Sequence, residues 1–566
     1  MSTSYGGGCC DCGDQEAWKK DYFCEDHAPV EKPEVDSLIT DDMKDICEVV
    51  FRAVLTYCVT MLQVDSDANL PDIDSETNSV EDVYCTLLYN DETHTFDQVR
   101  ERSFYDIQRC SCVDKAFFFI LFFISQVIST LTSIVKCEQK EAVEYVTSID
   151  RDGRSVVKCA TFAACIKLKN EIEKKGMRPS ISSSKIQPLK VAIFHKNTVA
   201  CQTFALQLLH WYQEFLGLSA KFRAVFCDII LTSTSSSNYT LRQILLYDIK
   251  LWKTARSAWH RLLISGMLME YESKKELAIN FTKVYTNIMQ DFLRDDHFHS
   301  FSVVSLSVQL FTVPTIAHHL MAHESAFFKL MHTYYAECID KYIKNKVLVF
   351  PKNAASTFNK RAHFIVTDLR YLLTFKPEVW TQELRLGFLH GIQIVIRLLK
   401  SMQGMDAVTR QVGQHMEYEP EWESAFTLHI KLSHLITSII EWCSTDKVIL
   451  VKVYRMVLAA LNENKFIVGT ASHDVKELAD HSANCLNYDV STKPVSIHLP
   501  LTRFLAGLYI HFEKFNLTFD NVSTTNDKPT PEEIIEPVLC TRTMISQVYS
   551  GMLIALPGKH KPGQCL

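Results

Sequence analysis

Residues 83–99 have the sequence VYCTLLYNDETHTFDQV, which begins with a strand signal. Most of the seven residues at 83–89 are β-branched, aromatic or aliphatic, as is typical of a pleated and buried surface. Asn90, Asp91 and Glu92 follow directly, and their composition is typical of a turn. The stretch therefore predicts a short strand that ends at Asn90.

The residues that follow complete a small α+β pattern. Helical spacing at 128–135 and 138–147 leads into Asp150-Arg151-Asp152-Gly153, which is a hairpin or turn signal. A second strand is predicted at 156–159 and a helix at 162–174. We therefore predict a compact α+β unit over residues 83–175.

From residue 187 to about residue 515 the pattern is almost wholly helical. Apolar residues recur at three- and four-residue steps, for example at 204–211 and 384–399. No self-similar period is visible, so the pattern does not indicate a regular solenoid. No catalytic residue is expected here, since the histidines lie on apolar helical patterns typical of core or rim positions: His210, His260, His318 and His319. The chain is thus predicted to be a mainly α-helical multidomain protein.

Composition limits the class of protein. The chain has 566 residues, of which 47% are hydrophobic, enough for several buried cores. Its 59 basic and 66 acidic side chains give a formal charge of −7, which argues against general nucleic-acid binding. The 19 cysteines are scattered and follow no secretory signal, so we expect reduced thiols and a cytoplasmic protein, with a nuclear location left open.

A phenylalanine-rich run at residues 116–124 raises the alternative of a membrane anchor. A spanning helix needs about 20 largely apolar residues. This run reaches that length only by including polar residues from Ser125 onwards. A membrane-anchored helical protein using residues 113–135 is therefore the less favoured reading, and carbonate extraction would test it.

The N-terminal segment contains a metal-binding pattern. Cysteines 10, 12 and 24 and His27 have the spacing C-x-C-x11-C-x2-H, and thiolate and imidazole groups are the ligands that zinc prefers. Asp11 and Asp14 lie within and beside the first pair, where fixed carboxylates could receive a cation. The alternative is a terminus that carries cysteines without binding metal.

Residues 6–19 and 23–27 resemble the last third of a UBR box, the zinc-binding module of the UBR-family N-recognins. The resemblance implies that zinc (Zn2+) is bound by Cys10, Cys12, Cys24 and His27. It also implies that Asp11 and Asp14 receive the α-ammonium and the side chain of a basic N-terminal residue. The family's box begins upstream with ligands that this chain lacks, so we expect zinc to be weakly held.

Residues 83–99 resemble the ClpS-like domain of the same ligases. The resemblance implies that Asn90 and Asp91 grip the α-amine of a bulky hydrophobic N-terminal residue. It places Phe96 and Ile149 at the side-chain pocket and Asp150 where bacterial ClpS has a histidine. The alternative from the residues alone is a turn that only closes a strand. Gln98-Val99 recurs as Gln126-Val127, so we interpret residues 100–127 as an inserted or mis-spliced segment.

Three further segments, at 251–257, 402–415 and 495–500, resemble the central helical region of these ligases. The resemblance implies N-degron recognition within a RING-type E3 ubiquitin-protein ligase, with N-degron-bearing proteins and a ubiquitin-conjugating enzyme as partners. No RING-type cysteine array follows residue 30, so we expect no ubiquitin transfer by this chain alone; a non-catalytic peptide-binding adaptor is the alternative. The expected order is a partial UBR-type zinc finger at 1–29, a helix and acidic linker at 30–82, a ClpS-like domain at 83–175 with the insertion at 100–127, a helical scaffold at 187–515, and the scaffold end with a divergent tail at 516–566.

Overall fold

The computed structural model of the chain describes residues 35–64, 83–90, 128, 130–176, 190–234, 238–294, 301–349, 356–402, 420–463 and 500–517. The predicted zinc ligands, together with Asp11, Asp14, Asp91, Phe96 and the insertion at 100–127, lie outside these ranges. The chain divides into two compact units, one built from described residues 35–280 and 301–306 and the other from 281–294 and 307–517.

The first unit combines a small sheet with helices. Its strands are β1 Tyr84–Tyr89, β2 Arg154–Ala160 and β3 Val191–His195, with a minor pair β4 Ser233–Thr234 and β5 Asn238–Tyr239. Shorter helical turns lie at Leu131–Val135, Asp248–Lys250 and Val303–Leu306. Its α-helices are α1 Val35–Leu38, α2 Asp41–Leu62, α3 Gln139–Asp152, α4 Phe162–Gly176, α5 Lys196–Leu218, α6 Ala220–Leu231, α7 Thr240–Tyr247, α8 Lys253–Met267 and α9 Tyr271–Arg294, of which α9 continues into the second unit.

Strand β1 is the centre of the three-stranded sheet and pairs antiparallel with β2 and β3. Both of its faces are covered, because Leu88 packs in one hydrophobic cluster and Cys85 and Leu87 pack in another. A strand buried on both faces is expected to show a continuous apolar run, which explains the sequence at 84–89. The predicted strands at 83–89 and 156–159 and the helix at 162–174 are confirmed.

The structure differs from the sequence prediction in two places, at the end of helix α3 and in the number of strands in the sheet. Residues Asp150 and Asp152 are helical, because α3 continues through Asp152 and ends at Gly153. Of the hairpin or turn predicted at residues 150–153, the hairpin is wrong, because the chain changes direction at a helix C-cap. The sheet also includes β3, which lies beyond residue 175.

Helices of the first unit pack on aromatic side chains. The ring of Phe51 on α2 lies 4.4 Å from that of Tyr212 on α5, and both side chains are almost fully buried. The Cys58 thiol on α2 donates a hydrogen bond to the carbonyl of Ala205. These contacts fix α2 along α5, the helix that follows β3.

Where the structure describes it, the second unit is helical apart from a small hairpin, β6 Ile343–Lys344 and β7 Val347–Leu348. The stacked rings of Phe388 and Trp442, whose centroids are 5.5 Å apart, lie in its core. The carboxylate of the buried Asp368 accepts hydrogen bonds from the hydroxyls of Tyr285 and Ser307, each at 2.6 Å. Its α-helices are α10 Ser307–Phe311, α11 Pro314–His323, α12 Ala326–Tyr334, α13 Ser356–Leu372, α14 Gln382–Met402, α15 Pro420–Cys443, α16 Lys447–Glu463 and α17 Pro500–Tyr509, with short turns at Tyr335–Ile339, Asp340–Tyr342 and Glu513–Phe515.

The described ranges contain no single helix that is both long and apolar enough to cross a membrane. The segments Val303–Phe311 and Pro314–His323 reach that length and composition only together, and they meet at an angle of 103°.

Candidate functional site

The candidate site is centred on Asn90, the residue that follows β1. Its backbone N–H donates a hydrogen bond to the carbonyl of Gly153 at 2.9 Å. On the other side of the strand, the N–H of Tyr89 donates to the carbonyl of Lys190 at 3.0 Å. The half-buried Asn90 is therefore bonded directly to Gly153, and the residue before it is bonded to the segment that leads into β3.

Gly153 links Asn90 to the end of helix α3. It has φ +87°, the left-handed conformation that glycine adopts readily at a helix C-cap, and its N–H donates to the carbonyl of Ile149 at 2.8 Å. Two successive backbone hydrogen bonds thus connect Asn90 with the last turn of α3. The structure brings Asn90, Ile149 and Asp150 into one small region; it does not describe Asp91 and Phe96, which complete the predicted site.

Ile149 is a core residue in this structure. Its side chain is 7% exposed and belongs to the cluster that contains Leu88, Leu131 and Ala142. One exposed depression of about 510 Å³ lies along α2 and is lined by Glu48, Val49, Arg52, Ala53, Thr56 and Tyr57.

The end of α3 carries charged groups of both signs. A hydrogen bond from the neighbouring Arg151 lowers the pKa of Asp152, and Lys253 adds a smaller effect in the same direction. Arg154 is a third cation at this edge, and its guanidinium donates hydrogen bonds to the side chains of Gln202 and Tyr89, at 2.8 and 3.2 Å.

Sequence reasoning missed the side chains that support this helix end from outside the sheet. Lys253 and Thr254 donate hydrogen bonds to the last turn of α3, and Trp252 packs on Arg154. The available signal was the segment 251–257, which resembled the family but which we assigned only to the scaffold.

Of the four histidines predicted at core or rim positions, three are buried or partly buried (His260, His318 and His319), whereas His210 is exposed. His260 is buried, and burial lowers its pKa to about 4. The pKa of His318 is also lowered by burial, and its Nε2 lies 3.0 Å from the carbonyl oxygen of Phe375. His210 lies on the surface and forms an ion pair with Glu214. No group of three or more potential metal ligands occurs among the residues that the structure describes.

Comparison with known proteins identifies both parts of the chain. Residues 123–192 match the family of the ATP-dependent Clp protease adaptor protein ClpS, and residues 208–557 match the UBR1/2/3-like ARM repeat domain. The first match covers α3, β2 and α4 and ends at the start of β3, and strand β1 and Asn90 precede it. The second covers most of the helical region, whose repeats were not visible as a sequence period.

Curated relatives agree with these matches. The chain is 51% identical over 565 residues to E3 ubiquitin-protein ligase UBR1 of Drosophila melanogaster, covering 98% of the chain and 29% of the relative. It is 35% identical to UBR2 of Homo sapiens over 564 residues, 98% of the chain and 30% of that protein, and 33% identical to human UBR1 over 521 residues, 91% and 28%. The chain thus spans less than a third of the length of these relatives. Because the ARM repeat match alone covers more than half of the 566 residues, the chain belongs to the UBR1/2/3 family.

Proposed function

We propose that this chain is the N-degron-reading part of a RING-type E3 ubiquitin-protein ligase, acting in the cytoplasm or the nucleus. The observation that carries the proposal is the backbone hydrogen bond from Asn90 to Gly153, at the end of helix α3. Helix α3 lies within residues 123–192, which match ClpS, whereas Asn90 precedes that match. The ligand is the free N-terminus of another protein, with a bulky hydrophobic first residue.

The chemistry of the site suits such a ligand. An α-amine has a pKa of about 7.7–8.0 and is mostly charged at neutral pH. The amide oxygen of Asn90 and the carboxylates of Asp91 and Asp150 could accept its hydrogen bonds, and charge-assisted bonds of this kind are short and strong. Phe96 and Ile149 would contact the hydrophobic side chain. Ile149 is buried in the described structure, so its contact would be made at the floor of the pocket.

The ligase role rests on the relatives, which are named E3 ubiquitin-protein ligases. N-degron-bearing proteins would be the substrates, and a ubiquitin-conjugating enzyme would be the second partner of the complete ligase. A reconstituted ubiquitination assay with the 566-residue chain separates this role from that of a non-catalytic adaptor. We expect no ubiquitin chains from this chain alone and competition with the complete ligase for N-degron peptides.

A second class of N-terminus would use the segment at 1–29. Cys10, Cys12, Cys24 and His27 form a donor set that suits zinc, which would organise the loop that carries Asp11 and Asp14. Those carboxylates would bind a basic N-terminal residue. Metal analysis tests the site: we expect zinc above background in the unmodified chain and less in Cys10→Ser. Peptides beginning with Arg should lose affinity in Asp11→Asn.

The hydrophobic site is tested by peptide binding to the full chain. Peptides beginning with Phe, Leu, Trp or Tyr should bind more tightly than the same peptides with an acetylated N-terminus. Asp91→Asn removes a charge-assisted contact that contributes about 1.5–3 kcal/mol, so we expect a loss of roughly tenfold or more. Asp228→Asn, an equal change of charge at an exposed position of α6, is the matched control. Equal affinity for free and acetylated peptides would refute the proposal.

The insertion at 100–127 provides a further test. Deleting it joins Val99 to Ile128 and gives the uninterrupted family pattern. We expect the deleted chain to be more soluble and to bind hydrophobic N-termini more tightly. An unfolded first unit in the deletion variant would show instead that the phenylalanine-rich stretch is part of its core.

A further inference from the structure

The last turn of α3 is bound directly by the start of helix α8. The final carbonyls of an α-helix have no partner within the helix and must be satisfied elsewhere. Here the Lys253 ammonium donates to the carbonyl of Asp150 at 3.0 Å, and the Thr254 hydroxyl donates to that of Asp152 at 2.8 Å. A cation at this end is also favoured by the helix dipole. Two side chains from the helical region therefore complete a helix that belongs to the ClpS-like site.

The backbones of the two elements also meet. A Cβ atom on Gly153 would lie 2.6 Å from the backbone nitrogen of Lys253 and 2.7 Å from its Cβ. Gly153 is also the residue whose carbonyl holds the N–H of Asn90. The start of α8 is thus in contact with the residue that connects Asn90 to α3.

Trp252 and Arg154 form a third contact at this place. The guanidinium carbon of Arg154 lies 3.3 Å from the ring centroid of Trp252, and the ring is 8% exposed. A desolvated cation over an indole ring is a stabilising arrangement. Because Arg154 is the first residue of β2, this contact fixes the strand directly after Gly153.

The segment that makes these contacts is itself firmly held. Arg256 donates a hydrogen bond to the carbonyl of Leu251 at 3.0 Å, and both residues are buried. Just before them, the carboxylate of Asp248 accepts hydrogen bonds from the Ser302 hydroxyl at 2.9 Å and from the N–H of Val303 at 3.1 Å. A segment anchored on both sides can impose a position on the helix that it contacts.

We propose that residues 252–254, which we term the docking turn, position the last turn of α3 for binding an N-terminus. This inference rests on the proposed function. Lys253 and Thr254 are positioning residues: they act through α3 and Gly153 on Asn90, Ile149 and Asp150. A free ClpS-like domain would have to order this helix end on binding, and that ordering would reduce affinity.

The test uses the full chain with Thr254→Val and Lys253→Met, which remove the two donors. Thr203→Val on α5 and Lys167→Met on α4 are matched controls at exposed positions, and Thr254→Ser keeps the hydroxyl. Hydrogen exchange of peptides covering residues 148–156 is measured without ligand, and a Phe-initiated peptide and its acetylated form are titrated by fluorescence anisotropy.

We expect Thr254→Val and Lys253→Met each to speed exchange at the helix end and to weaken binding of the free-amine peptide about threefold to tenfold. Thr254→Ser and both controls should resemble the unmodified chain. Unchanged exchange would overturn the inference, and so would faster exchange with unchanged affinity. If the unmodified chain does not prefer the free amine, both the proposed function and the role of the docking turn in binding are refuted. The exchange rates then decide only whether the docking turn holds the helix end.

Discussion

Replacing Gly153 by alanine adds a single methyl group to the residue that connects Asn90 with the end of α3. Gly153 has φ +87°, ends helix α3 and accepts the hydrogen bond from the N–H of Asn90. The added methyl group changes neither charge nor hydrogen-bonding capacity. Any effect must therefore come from the backbone conformation and from the space around it.

Both causes predict a lower free energy of unfolding for the first unit. Holding a residue with a Cβ in the left-handed region costs roughly 1–2 kcal/mol. The new Cβ would also lie 2.6 Å from the Lys253 backbone nitrogen, so the start of α8 or the end of α3 must shift. We expect a total loss of at least about 2 kcal/mol, with the helix end displaced from Asn90.

Gly217→Ala is the matched control for this substitution. Gly217 lies in helix α5, and a Cβ there would meet no atom within 4 Å. Alanine is preferred to glycine within a helix by roughly 0.5–1 kcal/mol, so this variant should be neutral or more stable. The same substitution should thus lower the free energy of unfolding at Gly153 and leave it unchanged or raise it at Gly217, within one unit.

Hydrogen exchange followed by mass spectrometry suits a chain with two units, because it reports opening free energies for separate peptides. Gly153→Ala should accelerate exchange in peptides from α3, β1 and β2. Peptides from α13 and α14 in the second unit should be unchanged. Exchange at α3 as slow as in the unmodified chain would refute the reasoning from the φ angle and the close contact.

Three further substitutions test the energetics of the two units. Burial raises the pKa of Asp368 to about 7, whereas an aspartate in the unfolded chain titrates near 4. The free energy of unfolding of the second unit should therefore fall as the pH rises from about 4 towards 7. Asp368→Asn should flatten this part of a profile of denaturation against pH. Gly387→Ala would bring a Cβ to 2.0 Å from the Met321 carbonyl oxygen, so we expect a loss of a few kcal/mol in chemical denaturation, and a stable variant would contradict the close approach. Arg154→Lys keeps the charge but loses the planar stacking on Trp252, and it should lower the melting temperature of the first unit by a few degrees, whereas an unchanged value would argue against that contact.

The local structure of the ClpS-like region was largely predictable, because its signals are local. The apolar run before Asn90 forms a strand, and the helix at 162–174 has its predicted place. The error at Asp150-Arg151-Asp152-Gly153 has a physical origin. A left-handed glycine ends a helix as readily as it forms a hairpin turn, and the composition of four residues does not separate the two cases.

The parts that could not be predicted depend on residues distant in the chain. Strand β3 pairs with β1 across about a hundred residues, and its short sequence merges with the helical pattern that follows. Lys253 and Thr254 likewise act on α3 from a hundred residues away, and nothing in their own spacing indicates the contact. Of the candidate site, sequence reasoning supplied Asn90, Ile149 and Asp150 through family resemblance, but not the support that fixes them.

The support from α8 bears on how the ClpS-like region would hold an N-terminus under the proposed function. A ClpS-like domain on a flexible tether could grip an α-amine, but the direction of the bound substrate would then be free. In this chain Asn90 is bonded to Gly153, Gly153 contacts Lys253, and Lys253 begins a helix whose Trp259 and Leu263 are buried in the same unit. Each link is a backbone hydrogen bond or a close packing contact, neither of which permits much rotation. Under the proposed function, an N-terminus bound at Asn90 would therefore meet a helix end whose position is set by the start of α8.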